Sequence, residues 1–444
     1  MSTSKRRPAE LWTIPLRLLT PAFIGGAAPN ERADLRPAGV RGAVRAWYRL
    51  LVGPEVAAGL VAAHAQLRES RLFGGVGHGE GQSVATFSFV EPPPTGDMTW
   101  SNRELRGPSP GLAYFGFPLD MPPNARRALK PGTTFALRLS FPRGIGEDDA
   151  ALLLHTLALW VSLGGLGTRS RRGFGGLWFN GPPTFTDFAG RPLPGRTLPL
   201  PATGAPGALQ AALRELLKGA QALRERLGLG LPVDGAAHLR AAGPAYHLRL
   251  SARADLRHSK LRLWLGDGGQ GWADWRAALD DLGRRMQMKR RELGVDAVGG
   301  SPLRLLSERR LLPHAPRRVA FGLPLTLRPI GPKREFHRGT FNLLPVLEDP
   351  GGAGGRFSVE SRAPSPLLVS VLPVGARFGL ALTLLSGPWP GRDLPVIATE
   401  GGGNTTERMG DGARTSRGAM RLDDDNKLPA DFIGALPRAE DLWP

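Results

Sequence analysis

The sequence contains no cysteine. Disulfide bonds and zinc modules built on thiolates are therefore excluded. Long apolar runs are also missing, because the longest, Ala150 to Leu163, is shorter than the about 20 residues that a membrane-spanning helix needs. The N-terminal segment MSTSKRRPAE has basic residues but no apolar stretch after them, so it does not resemble a secretory signal. We expect a cytoplasmic protein that contacts no membrane.

Acidic residues and lysine are both scarce. The chain has 39 Asp and Glu against 58 Lys and Arg, which gives a net charge of +19, and only 7 of those 58 cations are lysine. Such an excess favours a polyanionic partner, and arginine suits both phosphate contact and stacking on bases. Nucleic acid is therefore the first candidate partner. With 444 residues and 41% hydrophobic content, the chain is long enough for two or three domains.

A glycine-rich loop, GGLGTRSRRGFGG from Gly164 to Gly176, holds six glycines and three arginines and no acidic residue. Glycine lets backbone N–H groups approach a ligand closely, and guanidinium groups match phosphate oxygens. The loop has neither the Lys and Ser/Thr of a Walker motif nor the strand-to-helix position of a dinucleotide fingerprint. A nucleic-acid backbone is the predicted ligand, and the alternative is a tight turn with solvated arginines. The candidate contacts are Gly164, Gly165, Gly167, Arg169, Arg171, Arg172, Gly173 and Gly175.

A second candidate surface lies on a predicted helix near residue 45. Val40, Val44, Trp47 and Leu51 recur at helical spacing and form a core-facing stripe. Beside that stripe lie arginines four residues apart, and one more precedes the helix N-terminus, where the dipole favours an anion. The alternative is a solvated basic face. The candidate RNA contacts are Arg36, Arg41, Arg45 and Arg49.

The remaining charged residues give weaker patterns. A basic cluster with Arg284, Arg285 and Lys289 is compatible with RNA contact, partner contact or a solvated helix face. The eight histidines show no metal-ligand spacing, so no metal and no cofactor are predicted. His155 lies within an apolar helix and is expected to be a core residue. Asp34 is the most suggestive carboxylate for acid–base or metal-assisted RNA cleavage, and the alternative, which we favour, is a solvated loop residue.

The predicted order of elements is strand, helix, strand, strand, helix, strand, which is the split βαβ pattern of a ferredoxin-like α+β domain. We expect that domain, with the glycine-rich loop, over residues 1–180, and a short strand within it at Leu112 to Phe117. A Pro/Gly-rich linker is expected at 181–207 and a second α+β domain at 208–400. Residues 401–444 are expected to be a flexible C-terminal segment.

Several motifs together resemble the RAMP superfamily of CRISPR-associated RNA-binding proteins, and within it the family of the first Cmr subunit of the type III-B effector. They are TPAFIGGA, RPAGVRGAVRAWYRLL, SRLFGG, GGLGTRSRRGFGG, FGLPLTL and RAPSPLLVSVLP.

The resemblance implies two ferredoxin-like domains in tandem and a non-catalytic subunit. Such a subunit binds the 3′ region of the CRISPR guide RNA and helps to capture complementary target RNA in antiviral defence, together with other Cmr or RAMP subunits. The positions implicated are the segment from Arg36 to Arg49 and the loop from Gly164 to Gly176. The alternative is a RAMP endoribonuclease that processes CRISPR precursor RNA. Those enzymes keep the main glycine-rich loop near the C-terminus, whereas here more than half of the chain follows it.

Overall fold

The computed structural model describes most of the N-terminal half of the chain and selected elements of the C-terminal half. The described residues are 8–52, 68–75, 81–117, 119–122, 125–199, 204–229, 255–292, 325–327, 341–348, 357–359, 365–386, 396–400 and 428–442.

The elements of the first half alternate between strands and helices. In chain order they are β1 (Glu10–Leu18), β2 (Ala33–Asp34), α1 (Pro37–Val52), β3 (Thr86–Phe89), β4 (Thr95–Gly96), α2 (Asn102–Leu105), α3 (Pro110–Gly116), β5 (Thr134–Phe141), α4 (Glu147–Leu163), β6 (Leu177–Phe179) and β7 (Thr184–Asp187). Strands β2 and β4 form a separate antiparallel pair.

The first sheet has the strand order β3-β5-β1-β6, and every neighbouring pair is antiparallel. Trp12, Ile14 and Leu16 alternate with less buried residues along β1, so one face of the sheet is buried. Helices α1 and α4 contact each other and contribute buried residues to the same core. The predicted α+β class is confirmed.

The second half has its own elements. They are α5 (Pro206–Arg226), β8 (Asp255–Trp264), α6 (Trp275–Glu292), β9 (Leu325–Leu327), β10 (Phe341–Glu348), β11 (Phe357–Val359), β12 (Leu367–Val374), β13 (Arg377–Ser386), β14 (Val396–Glu400), α7 (Leu428–Gly434) and β15 (Glu440–Asp441).

Two antiparallel sheets form in the second half. The first has the strand order β12-β13-β8-β15, and α6 contacts its strand β13. The second joins β10 to β9, β11 and β14. Among the described elements, the strand order of the β8 sheet repeats that of the β1 sheet. Each order places the first strand of its unit between the third and the fourth.

The two halves share a hydrophobic core. Phe23, Trp100, Phe115 and Phe174 come from the first half, and they pack in one cluster with residues of α6, β12 and β13. Helix α3 lies against α6, and Asp280 Oδ1 of α6 accepts hydrogen bonds from the backbone N–H groups of Gly111 and Leu112 at the start of α3. The halves are therefore packed against each other.

The structure differs from the sequence-based expectations at several elements. Leu112 to Phe117, expected to hold a strand, is helical through Gly116, because α3 packs on α6. Within the expected linker, β7 pairs with the first residues of β1. Helix α5, expected in the second domain, packs its leucine stripe on α4 and the first core.

The C-terminal segment also differs from the expectation. Residues 401–427 lie outside the described residues, but Leu428–Gly434 is helical and β15 pairs with β8. Ile433 and Leu442 are fully buried, so apolar burial fixes residues 428–442 against the second half. Within the described ranges, none of the helices has both the length and the apolar content required to cross a bilayer.

Candidate nucleic-acid interface

The glycine-rich loop begins where α4 ends and leads into β6. Its backbone reverses direction, and the N–H of Leu166 donates to the carbonyl of Gly175 at 2.9 Å. Gly175 has a φ of +64°, and a Cβ there would lie 1.9 Å from the carbonyl oxygen of Leu166. Gly167 has a φ of +82°, and a Cβ there would lie 2.4 Å from the carbonyl oxygen of Phe23. Only glycine fits these two positions.

The glycines therefore serve contacts within the protein. Predicted contacts Gly173 and Gly175 are buried, and Phe174 between them is fully buried in the shared core. The buried hydroxyl of Thr20 accepts from the N–H of Gly176 and donates to the carbonyl of Gly173, both at 2.8 Å. Gly164 and Gly165 are half-buried at the end of α4. Within the loop, Gly167 to Arg172 remains the part open to a ligand.

The three loop arginines lie in this open part, and two of them, Arg171 and Arg172, contact the second half. Arg169, itself at a φ of +66°, donates to the carbonyl of Phe117. Arg171 donates to the carbonyl of Ser365 at 3.2 Å. Arg172 lies over the ring of Phe115 at 5.7 Å and within 3.7 Å of the sulfur of Met286.

Arg171 has an unusual electrostatic environment. Its burial, together with the positive charge of Arg172, lowers the pKa of Arg171 to about 10. In the part of the chain that the structure describes, no carboxylate pairs with Arg171. A partly buried guanidinium beside a second cation is stabilised by an anion, and a phosphate oxygen has the charge and geometry to supply that stabilisation.

Further arginines surround the segment from Ala22 to Asn30, which runs beside the loop. Phe23 pairs with Thr168 of the loop, and Ala22 pairs with Leu129. Arg36 donates to the carbonyl of Gly25 at 3.0 Å. A Cβ at Gly25 would lie 3.6 Å from Nη1 of Arg126.

Arg127 lies on the same segment, because its Nε donates to the carbonyl of Asn30 at 2.9 Å. The chain thus places six arginines from three segments on residues 22–30 or on the loop that pairs with them. We call them the arginine cluster: Arg36, Arg126, Arg127, Arg169, Arg171 and Arg172. Sequence reasoning missed Arg126 and Arg127, although the run ARRALK shows three cations in six residues.

The predicted basic face of α1 divides into two parts. Arg41 is exposed. Arg45 and Arg49 both form ion pairs with Glu69, whose side chain is only 12% exposed, and the Arg49 pair measures 2.6 Å. These two arginines therefore hold α1 to residues 68–75, and the RNA contact predicted for them stays a prediction.

The second basic cluster is paired in a similar way. Arg284 pairs with Asp280, and Arg285 pairs with Asp267 and Asp281. Arg290 and Arg291, which continue this run, have side chains outside the described residues. The cations described here thus stabilise α6 and its surroundings.

Asp34 and His155 carry no arrangement that indicates catalysis. Asp34 pairs with Arg32 at 2.8 Å. His155 is the one histidine whose side chain the described residues include, and its Nδ1 lies 3.0 Å from the carbonyl of Ala151, one helical turn earlier. Burial lowers the pKa of His155, and its Nε2 faces Gly219 of α5 rather than the loop.

Comparisons with known proteins agree with this architecture. Residues 15–178 match the sequence profile of the RAMP superfamily. Among solved structures, Cmr1 from Pyrococcus furiosus in its apo form matches with a TM-score of 0.50, at 17% identity over 98% of each chain. None of the curated proteins matches the sequence.

Two further matches are chains of cryo-EM structures of the Type III-B Cmr-beta bound to cognate target RNA, one of them with AMPPnP in the presence of ssDNA. Both share 11% identity over 85% of this chain, with TM-scores of 0.47 and 0.49, and the match covers 94% and 95% of their own lengths. The predicted resemblance is confirmed. Residues 15–178 match the RAMP superfamily, and the chain as a whole has a fold similar to that of Cmr1.

Proposed function

We propose that this chain is a non-catalytic RNA-binding subunit of a type III-B CRISPR effector complex. It holds the 3′ region of the guide RNA and helps to capture complementary target RNA in antiviral defence, beside other Cmr or RAMP subunits. The RAMP match and the Cmr1-like fold support this assignment. We also infer two ferredoxin-like domains in tandem, because the β8 sheet repeats the strand order of the β1 sheet.

The arginine cluster is the observation that carries the proposal. Its members come from distant parts of the sequence, yet each lies in the glycine-rich loop or contacts residues 22–30, which pair with the loop through Phe23 and Thr168. In contrast to Arg45 and Arg49, which share Glu69, Arg171 has a carbonyl oxygen as its described partner. A ribose-phosphate backbone supplies the anionic oxygens that such a cluster accommodates.

A subunit of this kind holds the backbone and leaves sequence recognition to base pairing. Arginine contacts to phosphate fix the position of an RNA strand but read no base. In RNA-guided complexes, the guide supplies specificity through pairing with its target. The arginine cluster fits this division of roles, because guanidinium groups supply charge to phosphate oxygens.

In the part of the chain that the structure describes, the geometry gives no support to the endoribonuclease alternative. A general base must lie within hydrogen-bond reach of the 2′-hydroxyl that it activates. The described histidine, His155, faces α5, and Asp34 is occupied by Arg32. We therefore assign no catalytic residue.

The test compares two double variants of the full-length protein. Arg126→Ala with Arg169→Ala removes two charges from the arginine cluster. Arg143→Ala with Arg191→Ala is the matched control. These two arginines follow Phe141 and Asp187, which both pair with Glu10 at the start of β1, whereas the loop lies near Leu18 at the end of β1. The nine residues of β1 place the two ends roughly 27 Å apart.

Affinity for single-stranded RNA is measured across a range of salt concentrations. We expect weaker binding for the cluster variant, with a slope of log K against log salt that is shallower by about 1.4, since each lost contact contributes about 0.7. The control should keep the wild-type slope. Equal slopes for all three proteins would contradict the proposal, as would cleavage of repeat RNA by wild type in the presence of a metal chelator.

A further inference from the structure

Two aromatic side chains are strongly exposed in the described part of the chain. Phe117 is 48% exposed and Phe188 is 57% exposed. Phe188 follows β7 at the end of the first sheet that lies far from the glycine-rich loop. Phe117 follows α3 directly, and its carbonyl accepts a hydrogen bond from Arg169 of the arginine cluster. One exposed ring thus lies beside the proposed backbone-binding site, and the other does not.

The residues before Phe117 are held firmly. Phe115 is buried beneath the guanidinium of Arg172. Gly116 packs on Trp100, since a Cβ at Gly116 would lie 2.3 Å from the indole Nε1. Helix α3 is also anchored at its start by Asp280. The ring of Phe117 is therefore presented to solvent from a fixed backbone, which lowers the entropic cost of using it for binding.

An exposed ring next to a backbone-binding cluster matches the chemistry of single-stranded RNA. In such complexes, cations track the phosphates while aromatic side chains stack on the bases, and the stacking tolerates any base. We propose that Phe117 is a stacking platform for an unpaired RNA base whose phosphates lie on the arginine cluster. This inference rests on the proposed function and adds a residue that binds the base instead of the backbone.

The proposal predicts two separable contributions to RNA affinity, base stacking by Phe117 and phosphate contact by the arginine cluster. Removing the ring takes away no charge, so Phe117→Ala weakens RNA binding without changing its salt dependence. Removing arginines changes the salt dependence. A backbone without bases cannot use the ring, so Phe117→Ala has no effect on an abasic strand of the same length.

The experiment titrates full-length wild type, Phe117→Ala, Phe117→Trp and the matched control Phe188→Ala with an ordinary and an abasic single-stranded oligoribonucleotide. For the ordinary strand, we expect a loss of about 5- to 150-fold in affinity for Phe117→Ala. We expect wild-type affinity or better for Phe117→Trp and no change for Phe188→Ala. For the abasic strand, all four proteins should bind alike. A 2-aminopurine base in the strand should be quenched by wild type and not by Phe117→Ala.

Each of the other outcomes shows whether the stacking role or the proposed function is wrong. Unchanged binding of Phe117→Ala would overturn the stacking role, while the arginine variants decide the proposed function separately. Equal losses on ordinary and abasic RNA would show that Phe117 acts on the fold, and thermal melts would then show a lowered Tm. Retained RNA binding with lost association with other Cmr subunits would assign the ring to a protein partner and overturn the proposal. Absence of RNA binding by wild type would contradict the proposed function itself.

Discussion

At the scale of residues, the environment of each arginine decides what it does. Arg45 and Arg49 face one carboxylate and fasten α1. Arg171 faces a carbonyl and another cation, which lowers its pKa to about 10. The sequence predicts positive charge at all three positions equally. It does not predict which are neutralised, because Glu69 and Ser365 are 20 or more residues away along the chain.

Replacing Arg171 by methionine tests this difference. A partly buried charge that no described carboxylate compensates is costly, so we expect an apolar side chain to replace it at no cost in stability, or with a gain. We expect Arg171→Met to change the free energy of unfolding by no more than about 1 kcal/mol, or to raise it, while RNA affinity falls. Urea denaturation and RNA titration give the two values, and Arg143→Met serves as the control. A clear loss of stability would show that the bond to Ser365 holds the fold.

The sign of the pH dependence follows from the same pKa. The folded-state pKa of Arg171, about 10, lies below its ordinary value, so the unfolded chain binds more protons in the pH range between the two values, and stability rises with pH there. The cost of the partly buried charge is therefore fully present at neutral pH, where the phosphate contact that we propose would offset it.

At the scale of elements, helices with a clear apolar period were predictable. The stripe of Val40, Val44, Trp47 and Leu51 predicted α1, and the apolar run from Ala150 predicted α4. Leu112 to Phe117 was wrongly expected as a strand, since its helix depends on contacts with α6. The partner residues Asp280 and Gly283 lie more than 160 residues away, and no local pattern shows them.

The close crossing of α3 and α6 predicts opposite effects of alanine at two helical glycines, Gly283 at the crossing and Gly42 in α1 away from it. A Cβ at Gly283 would lie 2.2 Å from the carbonyl oxygen of Gly111, so Gly283→Ala should lower the free energy of unfolding by about 1–3 kcal/mol. In α1, a Cβ at Gly42 would meet nothing within 4 Å, so Gly42→Ala should raise it by about 0.5–1 kcal/mol. Chemical denaturation measures both. The same sign for the two variants would contradict the close crossing of the helices.

At the scale of the whole molecule, the sequence predicted the α+β class and an RNA-binding role from charge and motifs. The sequence led us to expect a linker at residues 181–207 between two separate domains, but the structure shows a strand there and a core that both halves share. Residues 184–187 add a strand to the first sheet, and Phe23 and Phe174 pack with residues of the second half. Such a shared core forms from side chains far apart in sequence. The glycine-rich loop therefore lies at a junction that both halves hold in place.

This junction connects the fold to the proposed function. The loop arginines contact Phe117 and Ser365 on either side of it, and Arg36, Arg126 and Arg127 extend the positive surface along residues 22–30. With a net charge of +19, the molecule attracts polyanions over a range set by salt. In the proposed function, the cluster then decides where an RNA strand is held.

The most direct test is photocrosslinking of a guide RNA to the full-length chain within an assembled complex, with the crosslinked peptides mapped by mass spectrometry. The account predicts crosslinks concentrated in three segments, residues 22–36, 117–130 and 167–172. Crosslinks concentrated instead around Arg143 and Phe188, at the other end of the first sheet, or none on this chain, would contradict it.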